Sequence, residues 1–322
     1  MKRSLLTLLT SFLATIGFAQ QSAQYSQYMF NSLVINPAYA GYKENLNVSV
    51  LHRNQWTGIK GSPKTQSVVL DGALFESKNV GLGVSIVNDK LGIQGQSSAY
   101  INYAYRLPVG ENNARLAFGL AAGAIQYSLN SDLAKIDDPT DPNFAQKESV
   151  IDPDAKFGVY YSNDKWYAGF SVTDMLSKLL AGSRSASIAR NNQHYFLTAG
   201  MLANLNENLK FKPSIMVRSD LKAPSSVDLN AFFLLKEAVW LGASYRAGVN
   251  MLKTQNIKSG TFQSNSVVGV MEVFVGQKFR LGYAYDYAVS DLNSYTNGTH
   301  EISLGLILNA KQKNALLTPR YF

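Results

Sequence analysis

The chain has 322 residues, of which 46% are hydrophobic but only 16% charged, no cysteine, and a formal net charge of +8. The missing thiols exclude a disulfide framework, so an exported form must be held by backbone hydrogen bonds and burial. The charge falls to +6 once Lys2 and Arg3 leave with the leader described next, and the remaining cations are scattered, which excludes a compact nucleic-acid patch.

Residues 1–19 open with Lys2 and Arg3, run apolar from Leu5 to Phe18 and finish Gly17-Phe18-Ala19 before Gln20. This pattern predicts a secretory signal peptide and an exported mature chain. Nothing later reaches the roughly 18 apolar residues of a membrane helix, so any membrane crossing must be a β-barrel, which points to a Gram-negative outer membrane. A charged fraction below the usual ~25%, with 18 tyrosines and 24 glycines, suits aromatic girdles and crowded, twisted strands.

Residues 20–44 are aromatic without clean alternation. Pro37 fixes its own φ and biases Asn36 away from helix, and Gly41 relaxes the chain, so Asn36 to Gly41 reads as a turn. A plug inside a barrel, or a partner-docking segment below it, is the other reading of this stretch.

Residues 45–309 alternate apolar and polar in segments near 45–56, 64–74, 80–89, 96–107, 114–127, 154–163, 165–173, 193–204, 208–218, 227–236, 238–248, 263–275, 277–289 and 299–309. About 14 strands of this length predict an all-β fold, a transmembrane antiparallel β-barrel with an even strand count. In 277–289, Phe279, Leu281, Tyr283, Tyr285 and Tyr287 share one face, opposite Arg280, Gly282, Ala284 and Asp286. Lys or Arg facing lipid at mid-membrane costs about 2–4 kcal/mol, so the charged faces must look into a polar lumen. Connections alternate between tight (Phe75 to Asn79, Pro108 to Asn113, Asp164, Leu205 to Glu207, Glu237, Gly276) and longer ones, Lys90 to Gly95 being a short exception. This predicts short periplasmic turns, long extracellular loops and both termini in the periplasm, residues 310–322 forming a C-terminal tail. The basic run Lys311-Gln312-Lys313 followed by Leu316-Leu317 suits a docking peptide and a solvated tail equally.

The chemistry-bearing residues are few. His52, His194 and His300 fall near outer strand ends, with Asp89 and Glu301 as possible neighbours, but their spacing matches no compact ligand motif, so no metal is expected. Asp137, Asp138, Asp141 and Asp152 offer oxygen for calcium in an outer loop but lack the EF-hand run, and their Asp-Pro pairs are ordinary turn formers. Arg53, Arg106, Arg115, Arg218, Arg246 and Arg280, facing Asp71, Asp228, Asp286 and Glu301, either pair across the lumen or line a permeation path.

A wider pattern joins these residues. Gln27-Tyr28-Met29-Phe30-Asn31 precedes Asn36-Pro37-Ala38-Tyr39-Ala40-Gly41. Then come Arg53, Gln55-Trp56-Thr57-Gly58, Gly61-Ser62-Pro63-Lys64-Thr65, Asn88-Asp89, Tyr103-Ala104-Tyr105, Asp141-Pro142, Trp240, Tyr245-Arg246, Gly282-Tyr283, Asp286, His300-Glu301 and Pro319-Arg320-Tyr321-Phe322. Across essentially the whole mature chain this resembles the PorP/SprF family, outer-membrane proteins associated with type IX secretion and gliding motility in Bacteroidetes. The resemblance implies a barrel that helps export or anchor a large adhesin-like cargo protein with a C-terminal export domain. Its implied partners are that cargo, possible translocon or periplasmic ring components, and outer-membrane lipid. It supplies no catalytic residue and no cofactor. Asn36, Pro37, Tyr39, Gly41, Arg53, Trp56, Asp89, Arg246, Asp286 and Glu301 are its candidate structural or partner-docking positions. A small-solute channel is the alternative, and a hydrolase would need a nucleophile-His constellation that the sequence does not display.

Overall fold

The computed structural model describes residues 24–75, 78–130, 148–176, 179, 190–249, 265–276 and 278–308. The strands are β1 (Leu46–Asn54), β2 (Lys64–Leu74), β3 (Val80–Leu91), β4 (Gln94–Pro108), β5 (Arg115–Leu129), β6 (Glu148–Ser162), β7 (Trp166–Thr173) and β8 (His194–Met201). They continue with β9 (Ala203–Asn206), β10 (Leu209–Ser219), β11 (Ser225–Leu235), β12 (Val239–Val249), β13 (Ser266–Val275), β14 (Phe279–Ala288) and β15 (Thr299–Leu308). β8 and β9 are one stave interrupted at Leu202, whose side chain is buried and whose N–H donates to the Lys165 carbonyl at 2.8 Å. Both segments pair with β10. Each stave pairs antiparallel with its neighbour in sequence, and β1 pairs with β15 from Leu46↔Leu308 to Asn54↔His300, closing a 14-stave barrel with no free edge.

Alternation decides which side chain faces which solvent. Leu82, Val84, Ile101, Leu120, Leu241 and Leu304 point outward and are exposed, while Arg53, Arg106, Lys212 and Glu301 point inward and are buried. This inversion of a soluble core is what a lipid-facing wall requires. Tyr103, Tyr105, Tyr245, Tyr283 and Trp166 stand on the outer surface, as expected of aromatic girdles.

Tight connections gather at the end where β1 begins and β15 finishes; the longer ones join strands at the other end. The exception at Lys90 to Gly95 tightens to a turn at Gly92, whose φ is +58°. One boundary differs substantially from the sequence expectation. β6 begins at Glu148, because β5 runs on to Leu129 and gives it an edge to pair with. Asp152 and Pro153 therefore lie within the strand opposite Ile125 and Ala124, with Asp152 inward and buried, and do not form a turn. The signal peptide, Asp137, Asp138, Asp141 and the tail from Ala310 lie outside the described residues.

The lumen is occupied by the chain's own residues 24–43. They form three 3-10 turns, Tyr28–Phe30, Ser32–Val34 and Pro37–Tyr39, and nearly every side chain is buried. Met29, Phe30, Leu33, Val34, Ile35 and Tyr39 join inward-facing Leu51, Val69, Phe196, Phe232 and Trp240 in one apolar cluster. Burying such a side chain is worth about 1.5–3 kcal/mol, so this segment supplies the interior with its hydrophobic core.

Candidate functional site

Three layers of contact tie the lumen segment to the wall. At the long-connection end, Arg53 of β1 forms ion pairs with Asp286 of β14 (2.7 Å) and Glu301 of β15 (2.9 Å). Glu301 also accepts the backbone N–H groups of Ser26 (2.9 Å) and Gln27 (2.7 Å). The Ser26 hydroxyl donates to Asp286 at 2.6 Å and accepts from Arg53 Nη1 at 2.6 Å. Arg246 of β12 grips Asp228 of β11 through Nε (2.9 Å) and Nη2 (2.8 Å), and its Nη2 also reaches the Tyr25 carbonyl at 3.2 Å. Arg218 lies near Asp228, Arg246 and Arg53, adding a third guanidinium to the group. These are buried, charge-assisted contacts, and together they satisfy backbone donors that would otherwise be stranded inside the barrel.

At mid-depth the segment presents carbonyls and one amide to inward side chains. Lys156 Nζ donates to the Val34 carbonyl at 3.0 Å and Ser171 Oγ to the Ile35 carbonyl at 2.6 Å. Asn36 caps the Pro37 turn by accepting the Ala38 N–H at 2.9 Å. The wall opposite is glycine because the backbones touch: a Cβ on Gly119 would lie 2.0 Å from the Ala38 nitrogen, and one on Gly158 2.1 Å from Asn36 Oδ1. The Tyr39 ring meets those of Tyr42 and Tyr160 with centroids 4.7 and 5.6 Å away.

At the tight-turn end Gly41 leaves the lumen at φ +68°, its N–H donating to Asp71 at 3.2 Å and its carbonyl accepting from Arg106 at 2.5 Å. Arg280 pairs with Glu272 at 3.5 Å nearby.

The structure thus brings together Arg53, Arg246, Asp286 and Glu301, and places Asn36, Pro37, Tyr39 and Gly41 on the segment they enclose. Trp56 stands apart, whereas Asp89 lies in the same cross-strand row as Arg53, with Thr65 between them. Trp56 begins the β1–β2 connection at φ +51°, its N–H donating to Thr299 Oγ1 at 3.1 Å, and Asp89 accepts from Thr65 at 2.5 Å. The Asn36-to-Gly41 stretch turns as expected around Pro37, and it does so inside the lumen. Ser26 and Glu272 carry no mark in the sequence reading: Glu272 is accessible through the alternation of β13, whereas Ser26 sits where no periodicity exists.

The histidines do not converge. His52 points outward, His300 hydrogen-bonds Tyr283 at 2.8 Å, and His194 lies on β8 with Nδ1 2.9 Å from the Asn192 carbonyl. Among the described residues no group of three or more His, Cys, Asp or Glu side chains is placed to hold a metal ion. Asp152 is engaged by Arg190 at 2.6 Å. Asp174, in the connection after β7, has its carboxyl held below the ordinary range. Burial pushes it up, but the hydrogen bond and charge of His194, the Lys156 charge and the Thr173 hydroxyl outweigh that push.

Comparison with known proteins follows from this geometry. The family model described as "Type IX secretion system membrane protein PorP/SprF" matches residues 17–306. No curated protein matches the chain in sequence. Among solved structures, it is similar to the outer membrane protein Omp33 of Acinetobacter baumannii, with 9% identity, TM-score 0.47, and 82% of this chain and 98% of that one covered. It is also similar to a deletion mutant of the monoaromatic hydrocarbon channel TodX (9% identity, TM-score 0.47, 86% and 92% covered) and to BamA of Haemophilus ducreyi lacking POTRA domains 1–3 (9%, 0.44, 82% and 70%). With a family match over nearly its full length and a closed 14-stave wall, the chain belongs to the PorP/SprF family of type IX secretion system membrane proteins and is an outer-membrane β-barrel.

Proposed function

We propose that this outer-membrane barrel works by binding protein, assisting the type IX machinery in exporting or anchoring one large adhesin-like cargo that carries a C-terminal export domain, in secretion or in gliding. Its tight turns and the end of β15 face the periplasm, and the longer connections face outside, where the cargo arrives. The observation that supports a protein-handling role over solute passage is the lumen segment itself. Residues 24–43 are buried along the barrel's interior and hydrogen-bonded to the wall in three layers, which suits a scaffold better than a pore. Charges that would otherwise line a permeation path neutralise one another in pairs. Translocon or periplasmic ring components are further partners on this reading, and neither cofactor nor catalysis is required.

The test is an affinity pull-down of the tagged protein, gently solubilised from the outer membrane of its native host, with mass spectrometry of what co-purifies. A large surface protein with a type IX C-terminal domain, or secretion-machine components, supports the proposal. A barrel that comes down alone and conducts in a planar bilayer favours a small-solute channel.

A further inference from the structure

The lumen segment has a direction. Ser26 and Gln27 are bound by Arg53, Asp286 and Glu301, which lie close to the ends of β1, β14 and β15 where the longer connections begin. Asn31 reaches Ser67 of β2, and Val34 and Ile35 meet Lys156 and Ser171, all nearer mid-strand. Gly41 meets Asp71 and Arg106 and lies against Gly81, near the tight-turn ends of β2, β4 and β3. The chain therefore descends the lumen from Gln24 and leaves at the bottom to begin β1. Along β2 its upper and lower anchors lie level with Thr65, opposite Arg53, and with Asp71, about 20 Å apart at ~3.3 Å per residue, compared with a hydrocarbon core about 30 Å thick.

We infer that the lumen segment opens, at Gln24, toward the long-connection end of the barrel, on the opposite side of the membrane from the end of β15. This departs from the expectation that both termini share the periplasmic side. Combined with the orientation proposed above, on which only the word "outside" rests, it puts Gln24 on the cell-surface side. The placement has two physical consequences. The seam between β1 and β15 is held from inside, because Arg53 and Glu301, directly opposite in register, both bind Ser26, and Glu301 also binds Gln27. The segment also braces the wall from within, since residues 24–43 hydrogen-bond to β2, β6, β11 and β15.

The chain has no cysteine, so single cysteines report their side of the membrane without background. Gln24→Cys is compared with Lys222→Cys in the long-side β10–β11 connection and Glu111→Cys in the tight β4–β5 connection, using a maleimide that cannot cross the outer membrane. The inference expects Gln24→Cys to label wherever Lys222→Cys labels, and a short epitope placed before Gln24 to be bound on the same side. If Gln24→Cys follows Glu111→Cys, or reacts only after the barrel is unfolded, the inference is overturned. Intact cells in which Glu111→Cys labels and Lys222→Cys does not would overturn the proposed orientation instead, leaving the inference to be read from whichever control Gln24→Cys follows.

Discussion

Replacing Glu301 by glutamine keeps the side chain's shape and removes its charge, which isolates the contribution of the seam contact. The carboxylate accepts from Ser26 N–H, Gln27 N–H and Arg53 Nη1, and the residue is wholly buried. A primary amide offers one acceptor oxygen and turns its NH₂ toward whatever faces the other position, so at least one donor meets another donor. Each buried donor left without a partner costs about 1–3 kcal/mol. Removing one partner of a buried ion pair costs about 3–5 kcal/mol, and the Arg53–Asp286 pair survives at 2.7 Å, which places the total near the lower end. About 3 kcal/mol corresponds to an equilibrium shift on the order of a hundredfold toward a loosened lumen segment. The strand ladder is untouched, so the barrel still folds and keeps its heat-modifiable mobility on denaturing gels. What changes is the protection of the segment's own Tyr25, Tyr28 and Phe30 against chymotrypsin, followed as cleavage rate in detergent. Cleavage at the same rate in Glu301→Gln and in the parent barrel would refute the claim that this carboxylate holds the segment.

Gly119→Ala drives a methyl group to 2.0 Å from the Ala38 nitrogen. Overpacking of about 1–3 kcal/mol or more is expected, read as a lower temperature for loss of the folded gel band, whereas the same change at outward-facing Gly269, where a Cβ meets nothing within 4 Å, leaves that temperature alone. Leu241→Arg puts a charge on the lipid-facing side of β12 and is expected to cost about 2–4 kcal/mol if it lies near the midplane, measured as reduced folded protein in the membrane fraction. Asp174 has a depressed folded-state pKa, so its contribution is present above the unfolded value of about 3.9 and is lost only as pH falls through the lower folded value. Thermal stability measured across that acid window should therefore fall more steeply in the parent barrel than in Asp174→Asn; parallel curves would contradict the assignment.

The wall was legible in the sequence because period-two alternation needs only nearest neighbours along one strand. The inward positions of Lys210, Lys212 and Arg218 on β10 follow from it directly. β6 was read six residues short because Asp152-Pro153 looks like a turn until β5 is seen to continue beside it. The lumen segment was harder. Its turns obey no single period, and its partners lie as many as 276 residues away in sequence, as with Gln27 and Ser303. Residues such as Asn36 and Gly41 could be marked as special from their backbone preferences, but the glycines facing them, on β3, β5 and β6, carried no local sign of what they accommodate.

The central claim is that the chain's own N-terminal segment fills the barrel, and single-channel recording in planar bilayers tests it most directly. The purified full-length chain is compared with a version lacking residues 25–36, each verified as folded by its heat-modifiable mobility. The account predicts a silent full-length barrel and steady conductance once the segment is removed. A full-length barrel that conducts as well as the deleted one would contradict it.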